Sequence, residues 1–152
     1  MAIEIERKFL VTHDSWKSLQ GVLYKQGYLN RDPQRTVRVR VAGDKAFLTI
    51  KGITTGASRP EYEYAIPVAD ADELLGLCVG PIIVKTRRLI EHAGFTWEVD
   101  EFFGDNAGLV VAEIELTRED QAFDKPDWIG LEVTEDPRYF NSYLSLHPFN
   151  TW

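Results

Sequence analysis

The stretch EIERK at residues 4–8 decides the fold of this chain. Successive side chains of a β-strand point to opposite faces, so Glu4, Glu6 and Lys8 share one face of the predicted strand. The opposite face carries the apolar residues Ile3, Ile5 and Phe9. A strand with this pattern lines either a charged cavity or a wetted sheet surface, and one strand does not distinguish the two.

The same alternation recurs along the chain, with charges of one sign two residues apart. The later charged positions are Arg38 and Arg40, Lys51, Glu61 and Glu63, Lys85 and Arg87, Glu98 and Asp100, and Glu113 and Glu115. Solvated sheet faces more often mix the two signs. The intervening positions are rich in Val, Ile, Phe, Tyr and Trp, which can pack against helices outside a sheet. We therefore expect the charged faces to point inward.

Length and composition favour one globular domain, residues 1–152. Hydrophobic residues make up 44% and charged residues 27%, and the net charge of −7 argues against binding to duplex nucleic acid. The chain shows no signal peptide and no apolar run near the ~20 residues of a membrane span, so we expect a cytoplasmic protein that does not bind a membrane. The lone Cys78 agrees with a reducing compartment. A homodimer is the commonest oligomer for such a chain.

Turn signals divide the chain into short strands that alternate with a few helices, which indicates a mainly β, α+β fold. Eight or nine antiparallel strands favour closure of the sheet. The predicted strands are 2–11, 28–30, 35–42, 46–52, 61–67, 82–91, 94–102 and 109–117, with a further short one at 129–135. We predict helices after Asp14, after Asp70 and after Asp136-Pro137, all packed outside the sheet, and a mobile loop from Thr54 to Pro60.

An inward face with this composition needs ligands of both signs. Six cations and eight carboxylates in one cavity would repel their neighbours unless counterions were bound. Divalent metal ions satisfy carboxylates, and a phosphate chain satisfies cations. The oxygen donors fit Mg²⁺ or Mn²⁺, whereas the scattered histidines and the single cysteine do not suggest zinc.

The sequence resembles the CYTH, or triphosphate tunnel metalloenzyme, superfamily, and in particular its short bacterial branch. The family signature E-x-E-x-K is present at residues 4–8. The further similar segments are QGYL at 26–29, VRVR at 37–40, LTIKG at 48–52, RPEYEY at 59–64, GPIIVKTRR at 80–88, EVD at 98–100, EIE at 113–115 and PDWIGLEVTEDPRYFNSYL at 126–144.

The resemblance implies an eight-stranded antiparallel β-barrel, the triphosphate tunnel, that binds a triphosphate with a divalent metal in its lumen. On the matching positions, the residues expected to hold the phosphates are Lys8, Arg38, Arg40, Lys51, Lys85 and Arg87. The best expected metal ligands are Glu4, Glu6, Glu113 and Glu115, with Glu61, Glu63, Glu98 and Asp100 as direct or water-mediated contributors. Tyr28 matches a tyrosine suggested as a proton acceptor in this branch, and a packing role is the alternative.

The resemblance leaves several activities open. Inorganic tripolyphosphate is the first expectation, because the short chain leaves little material for a nucleobase or thiazolium pocket. The alternatives are a nucleoside or thiamine triphosphatase, an adenylate cyclase of class IV type, and a polyphosphate or nucleotide binding module without catalysis. The full carboxylate set favours an enzyme, since a simple phosphate binder would gain nothing from acids that repel its ligand.

Overall fold

The computed structural model describes residues 3–152 as nine strands with short helices. The strands are β1 (Ile3–Val11), β2 (Val22–Asn30), β3 (Thr36–Ala42), β4 (Lys45–Lys51), β5 (Ser58–Ile66), β6 (Ile83–His92), β7 (Phe95–Phe102), β8 (Val110–Glu115) and β9 (Ile129–Glu132). The α-helices are α1 (Val68–Leu75) and α2 (Asn141–Leu144), and 3₁₀ turns lie at Ser15–Ser18, Gly104–Asn106, Pro137–Tyr139 and Phe149–Thr151. The predicted start of the first strand at residue 2 falls outside the described residues.

Eight of the strands close into an antiparallel barrel, which confirms the predicted fold. The order is β5-β4-β3-β2-β6-β7-β8-β1, and β5 then pairs with β1. Closure rests on three residue pairs, in which residues 3–5 of β1 face residues 58–60 of β5. The short strand β9 pairs with the later part of β1. The barrel is therefore complete without a covalent or metal closure.

The closing segment of β5 lies inside the predicted loop from Thr54 to Pro60, so that loop prediction is wrong at its end. The backbone of Ser58 to Pro60 pairs with β1, and Thr55 pairs with Ser58 just before it. The sequence there has no alternation of apolar and polar residues. Backbone pairing alone makes this segment a strand, and sequence pattern does not reveal it.

The helix predicted after Asp14 is also wrong. A single 3₁₀ turn follows this residue, and β2 begins at Val22 and continues through Gly27. Leu19 and Leu23 have helical spacing with Trp16, but only Trp16 is buried. Both neighbours of β2, namely β3 and β6, come later in the chain, and their pairing outweighs the local pattern.

Apolar side chains fill the space outside the barrel wall. Phe9, Trp97 and Ile114 form the largest cluster on the outer faces of β1, β7 and β8. Helix α1 packs on β3 and β4 through Ala71, as predicted, although it begins after Pro67 rather than at Asp70. No helix of residues 3–152 is long and apolar enough to span a membrane.

The C-terminal segment differs from the predicted outer helix, because it is shorter and part of it faces the barrel interior. Asp136 caps a 3₁₀ turn through its side chain, as expected, and α2 follows directly. Tyr139 and Leu144 join an apolar cluster with Ile83, whereas Asn141 faces the interior of the barrel. The chain thus contributes polar groups to the lumen from a segment that is not part of the barrel.

Candidate active site

The barrel encloses a cavity of about 350 Å³. Its wall carries nearly all of the residues expected at the site. Those lining the cavity are Lys8, Tyr28, Arg38, Arg40, Lys51, Lys85 and Arg87, together with Glu4, Glu6, Glu61, Glu63, Glu98, Glu113 and Glu115. Asp100 lies behind this wall, fully buried. Strand alternation therefore gave the correct inward face on every charged strand.

Carboxylates of like charge face one another across β1, β8 and β7. The strand register pairs Glu6 with Glu115, and Glu98 with Glu113. Two sets of three carboxylates have oxygens within 4.8 Å of one another, Glu4 with Glu6 and Glu115, and Glu6 with Glu98 and Glu113. Like charges directly opposite each other destabilise a sheet. This part of the wall is therefore suited to binding a cation.

The pKa shifts in this cluster report the same repulsion. Burial, followed by the charges of Glu113 and Glu4, raises the pKa of Glu6 well above its ordinary value. Burial also raises the pKa of Glu98 to about 7, and Glu113 adds to the effect. Burial would raise the pKa of Glu113 as well, but Lys8 and other cations outweigh it and hold that pKa well below normal. For Glu6, the charges of Lys8 and Lys51 do not offset burial and the neighbouring carboxylates.

A hard divalent cation fits this donor set. The ligand atoms are carboxylate oxygens, which Mg²⁺ and Mn²⁺ prefer. A cation between Glu6 and Glu115 would replace the like-charge repulsion by attraction and would favour the ionised form of Glu6. Glu6 belongs to both carboxylate sets, so it is the residue that could connect two ions.

Arginines occupy the opposite part of the wall with few internal partners. Arg38 is buried, and its guanidinium donates to Thr49 Oγ1 at 3.3 Å and lies 3.7 Å from a carboxylate oxygen of Glu63. Its Nε is buried and has no hydrogen-bond partner among residues 3–152. Burial, with the charges of Arg38 and Arg87, lowers the pKa of Arg40 to about 10. The side chains of Arg38 and Arg40 both line the cavity, which suits an anion.

Lys85 and Arg87 share Asp100 as a counterion. Lys85 Nζ donates to one carboxylate oxygen at 2.7 Å, while Arg87 donates to both oxygens at 2.8 and 2.9 Å. Burial would raise the pKa of Asp100, but Arg87 and Lys85 outweigh it and hold the pKa to about 2. Burial lowers the pKa of Lys85 to about 7, despite the attraction of Asp100. Asp100 therefore acts here as a support for two cations rather than as a group exposed to a metal.

One further ion-pair group lies at the end of the cavity where the barrel closes. Lys51 Nζ contacts Glu4 at 2.9 Å and Glu61 at 3.2 Å. Glu63, on the same strand as Glu61, is exposed and accepts a hydrogen bond from Thr49. Glu63 thus lies at the rim, whereas Glu61 lies beside Glu4 on the same lysine.

Sequence reasoning missed several polar residues of the site, including the following four. Tyr24, Arg59 and Asn141 line the cavity, and the fully buried Gln26 contacts two groups of the wall. Alternation with Glu61 would have indicated Arg59. Tyr24 and Gln26 share a face of β2 and would have followed from a strand that began at Val22. No sequence pattern indicated Asn141.

A closed antiparallel barrel that holds carboxylate clusters opposite buried arginines defines a tunnel protein suited to a divalent cation and an anion together. The chain belongs to the CYTH domain family, whose model matches residues 2–142. This confirms the resemblance seen in the sequence.

Two relatives and one solved structure extend the comparison. The chain is 57% identical over 154 residues to an inorganic triphosphatase of Acetivibrio thermocellus, covering 100% of this chain and 99% of the relative. It is 40% identical over 149 residues to an inorganic triphosphatase of Nitrosomonas europaea, covering 94% and 97%. The crystal structure of an inorganic triphosphatase is similar with a TM-score of 0.69 at 38% identity, covering 96% of both chains.

Proposed function

We propose that this chain is a metal-dependent triphosphatase that hydrolyses inorganic tripolyphosphate within the barrel. The observation that carries the proposal is the arrangement of the cavity wall, with facing carboxylates on one side and the arginines Arg38 and Arg40 on the other. Relatives at 57% and 40% identity are named inorganic triphosphatase, which supports the same reaction.

The cations would bind the phosphate chain. Arg38 and Arg40 offer guanidinium forks that match phosphate oxygens, while Lys8 and Lys85 act as point charges. Arg87 is held in place by Asp100. Because these groups are already fixed within a buried cavity, little reorganisation would accompany the growth of negative charge on the leaving diphosphate.

The carboxylates would hold the metal. Glu4, Glu6 and Glu115 form one candidate set, and Glu6, Glu98 and Glu113 form the other. When bound, Mg²⁺ or Mn²⁺ would neutralise charge on phosphate oxygens and could lower the pKa of the attacking water. Glu61 would contribute beside Glu4 and Glu63 at the rim, and Asp100 would act through Lys85 and Arg87.

Tyr28 is buried, lines the cavity and pairs with Arg38 across β2 and β3. A proton acceptor would need its hydroxyl, whereas a packing residue would need only its ring. The Tyr28→Phe variant separates the two roles, because it keeps the ring. An unchanged kcat would assign Tyr28 to packing, and a loss of kcat with unchanged thermal stability would assign it to catalysis.

The proposal includes the cellular location and the oligomeric state of the protein. A cytoplasmic location agrees with the lone cysteine, which is typical of a reducing compartment. A homodimer stays a prediction, which sedimentation of the purified protein would test.

The test of the function is phosphate release from tripolyphosphate, ATP and thiamine triphosphate, each with Mg²⁺, Mn²⁺ or EDTA. We expect rapid release from tripolyphosphate with metal, little release from the other two, and none in EDTA. The Lys8→Ala and Glu115→Ala variants should fold and lose the activity. Equal activity of these variants, or cyclic AMP from ATP, would contradict the proposal.

A further inference from the structure

The side-chain amide of Asn141 joins two phosphate-binding cations that come from different strands. Asn141 Oδ1 accepts a hydrogen bond from Lys85 Nζ at 3.1 Å and another from Gln26 Nε2 at 3.0 Å. Gln26 Oε1 in turn accepts from Arg40 Nε at 2.8 Å. The resulting series of hydrogen bonds runs from β6, through the C-terminal segment and β2, to β3.

The cations at the two ends of this series determine which group of each amide donates and which accepts. A lysine ammonium and a guanidinium N–H only donate, so the Asn141 carbonyl must face Lys85 and the Gln26 carbonyl must face Arg40. The amide NH₂ of Gln26 then has its natural acceptor in Asn141. Each amide has one orientation that satisfies its neighbours, and Gln26 is fully buried, which excludes competing water.

This arrangement determines which donors remain for a ligand. Lys85 has three N–H groups, of which one is bound to Asp100 and one to Asn141, so the third is left for the cavity that Lys85 lines. In the described part of the chain, Gln26 is the hydrogen-bond acceptor for the Arg40 guanidinium. That contact holds Nε and leaves the two terminal nitrogens of Arg40 for the cavity.

The C-terminal segment is held in place independently of this amide. Tyr139 and Leu144 are buried in an apolar cluster with Ile83, and Lys8 Nζ donates to the Tyr139 carbonyl at 3.1 Å. Asn141 is therefore presented to the lumen by a backbone that other contacts fix. The side chain can be changed without removing the packing that positions it.

We propose that Asn141 is a positioning residue, which orients Lys85 directly and Arg40 through Gln26 so that both direct their free N–H groups at the phosphate chain. The inference rests on the proposed function, because it concerns the binding of the same substrate. It assigns a role to a residue outside the charged strands.

The test is the Asn141→Leu variant, which keeps a similar volume but accepts no hydrogen bond. We expect kcat/KM for tripolyphosphate with Mg²⁺ to fall about 10- to 100-fold, the effect of losing a hydrogen bond to a charged group. The Michaelis constant should rise, because the substrate meets misdirected cations. A defect of folding alone would lower the active fraction and kcat while the Michaelis constant stayed the same.

A matched control is Asn106→Leu. Asn106 is a buried asparagine whose Oδ1 accepts from the backbone N–H of Phe149 at 2.9 Å, in a 3₁₀ turn outside the cavity, whereas Asn141 is partly buried. This variant should lower thermal stability and leave the Michaelis constant unchanged. Equal changes of the Michaelis constant in Asn106→Leu and Asn141→Leu would overturn the inference.

Gln26→Leu tests the route to Arg40. This variant should lose less activity than Asn141→Leu, since Lys85 keeps its contact with Asn141, and the double variant should match Asn141→Leu alone. If the fold-losses of kcat/KM in the two single variants multiplied in the double variant, Asn141 would not act on Arg40 through Gln26.

The smaller change Asn141→Ala repeats the measurement if the leucine variant does not fold, and an unchanged Michaelis constant in the folded variant would overturn the inference. Failure of the wild-type protein to release phosphate would instead contradict the proposed function itself.

Discussion

Replacement of Arg38 should separate activity from stability. Arg38 is buried, its Nε lacks an acceptor among residues 3–152, and its closest polar contact is 3.3 Å long. A phosphate chain in the cavity would accept from the two terminal nitrogens of the guanidinium. At about 1.5–3 kcal/mol for each hydrogen bond to a charged group, Arg38→Leu should cost roughly 3–6 kcal/mol of transition-state stabilisation. The expected loss in kcat/KM is about 10²- to 10⁴-fold.

The same change should not weaken the fold. A buried guanidinium with weak contacts is costly to keep out of water, so leucine should leave the free energy of unfolding unchanged or raise it. Arg38→Lys keeps the charge but loses the fork, and we expect an intermediate loss of about 10- to 100-fold in kcat/KM.

The assays are steady-state phosphate release and urea denaturation. Arg88→Leu is the control. Arg88 follows Arg87 on the same strand, so its side chain lies on the outer face of the barrel, where it contacts Glu101 at 3.0 Å. It should keep normal kcat/KM. Activity of Arg38→Leu within about threefold of wild type, in a folded protein, would refute the assignment of Arg38 to phosphate binding.

Three further changes test the supports of the site. Asp100→Asn leaves two buried cations without their counterion and should lower stability by about 3–5 kcal/mol, seen as a fall in Tm of roughly 10 °C; an unchanged Tm would contradict the pairing. Glu6→Gln should raise or preserve the Tm in EDTA and abolish the Tm increase that Mn²⁺ gives the wild type, whereas a retained increase would exclude Glu6 as a ligand. The hydrogen bonds of Arg7 lower the pKa of Glu132, so this pair stabilises the fold above the unfolded pKa of about 4.5 and loses its effect as the pH falls through the lower folded value. Glu132→Gln should therefore cost no more than about 1 kcal/mol at pH 7 and progressively less as the pH falls below about 4.5, and a pH-independent cost would contradict this.

Much of the site could be predicted because the period of a strand is local. Lys85 and Arg87 alternate with Val84 and Thr86, and the side-chain period alone sends them to one face. The apolar character of the other face then identifies the charged face as the lumen. The wall of the cavity follows from these two facts for each strand in turn.

The predictions that failed concern features that depend on contacts between residues distant in sequence. Strand β2 pairs with β3 and β6, and these partners outweigh the helical spacing of Leu19 and Leu23. The separate role of Asp100 depends on cross-strand pairing with Arg87, which the alternation of β7 does not contain. Asn141 reaches the lumen because other residues fix the C-terminal segment there.

The most direct measurement is the anomalous scattering of Mn²⁺ in crystals soaked with Mn²⁺ and tripolyphosphate. We expect a peak among the carboxylates of Glu4, Glu6 and Glu115, and phosphate density against Arg38 and Arg40. Metal peaks confined to the outer surface, with no phosphate density in the lumen, would contradict the assignment of the barrel interior as the site of triphosphate hydrolysis.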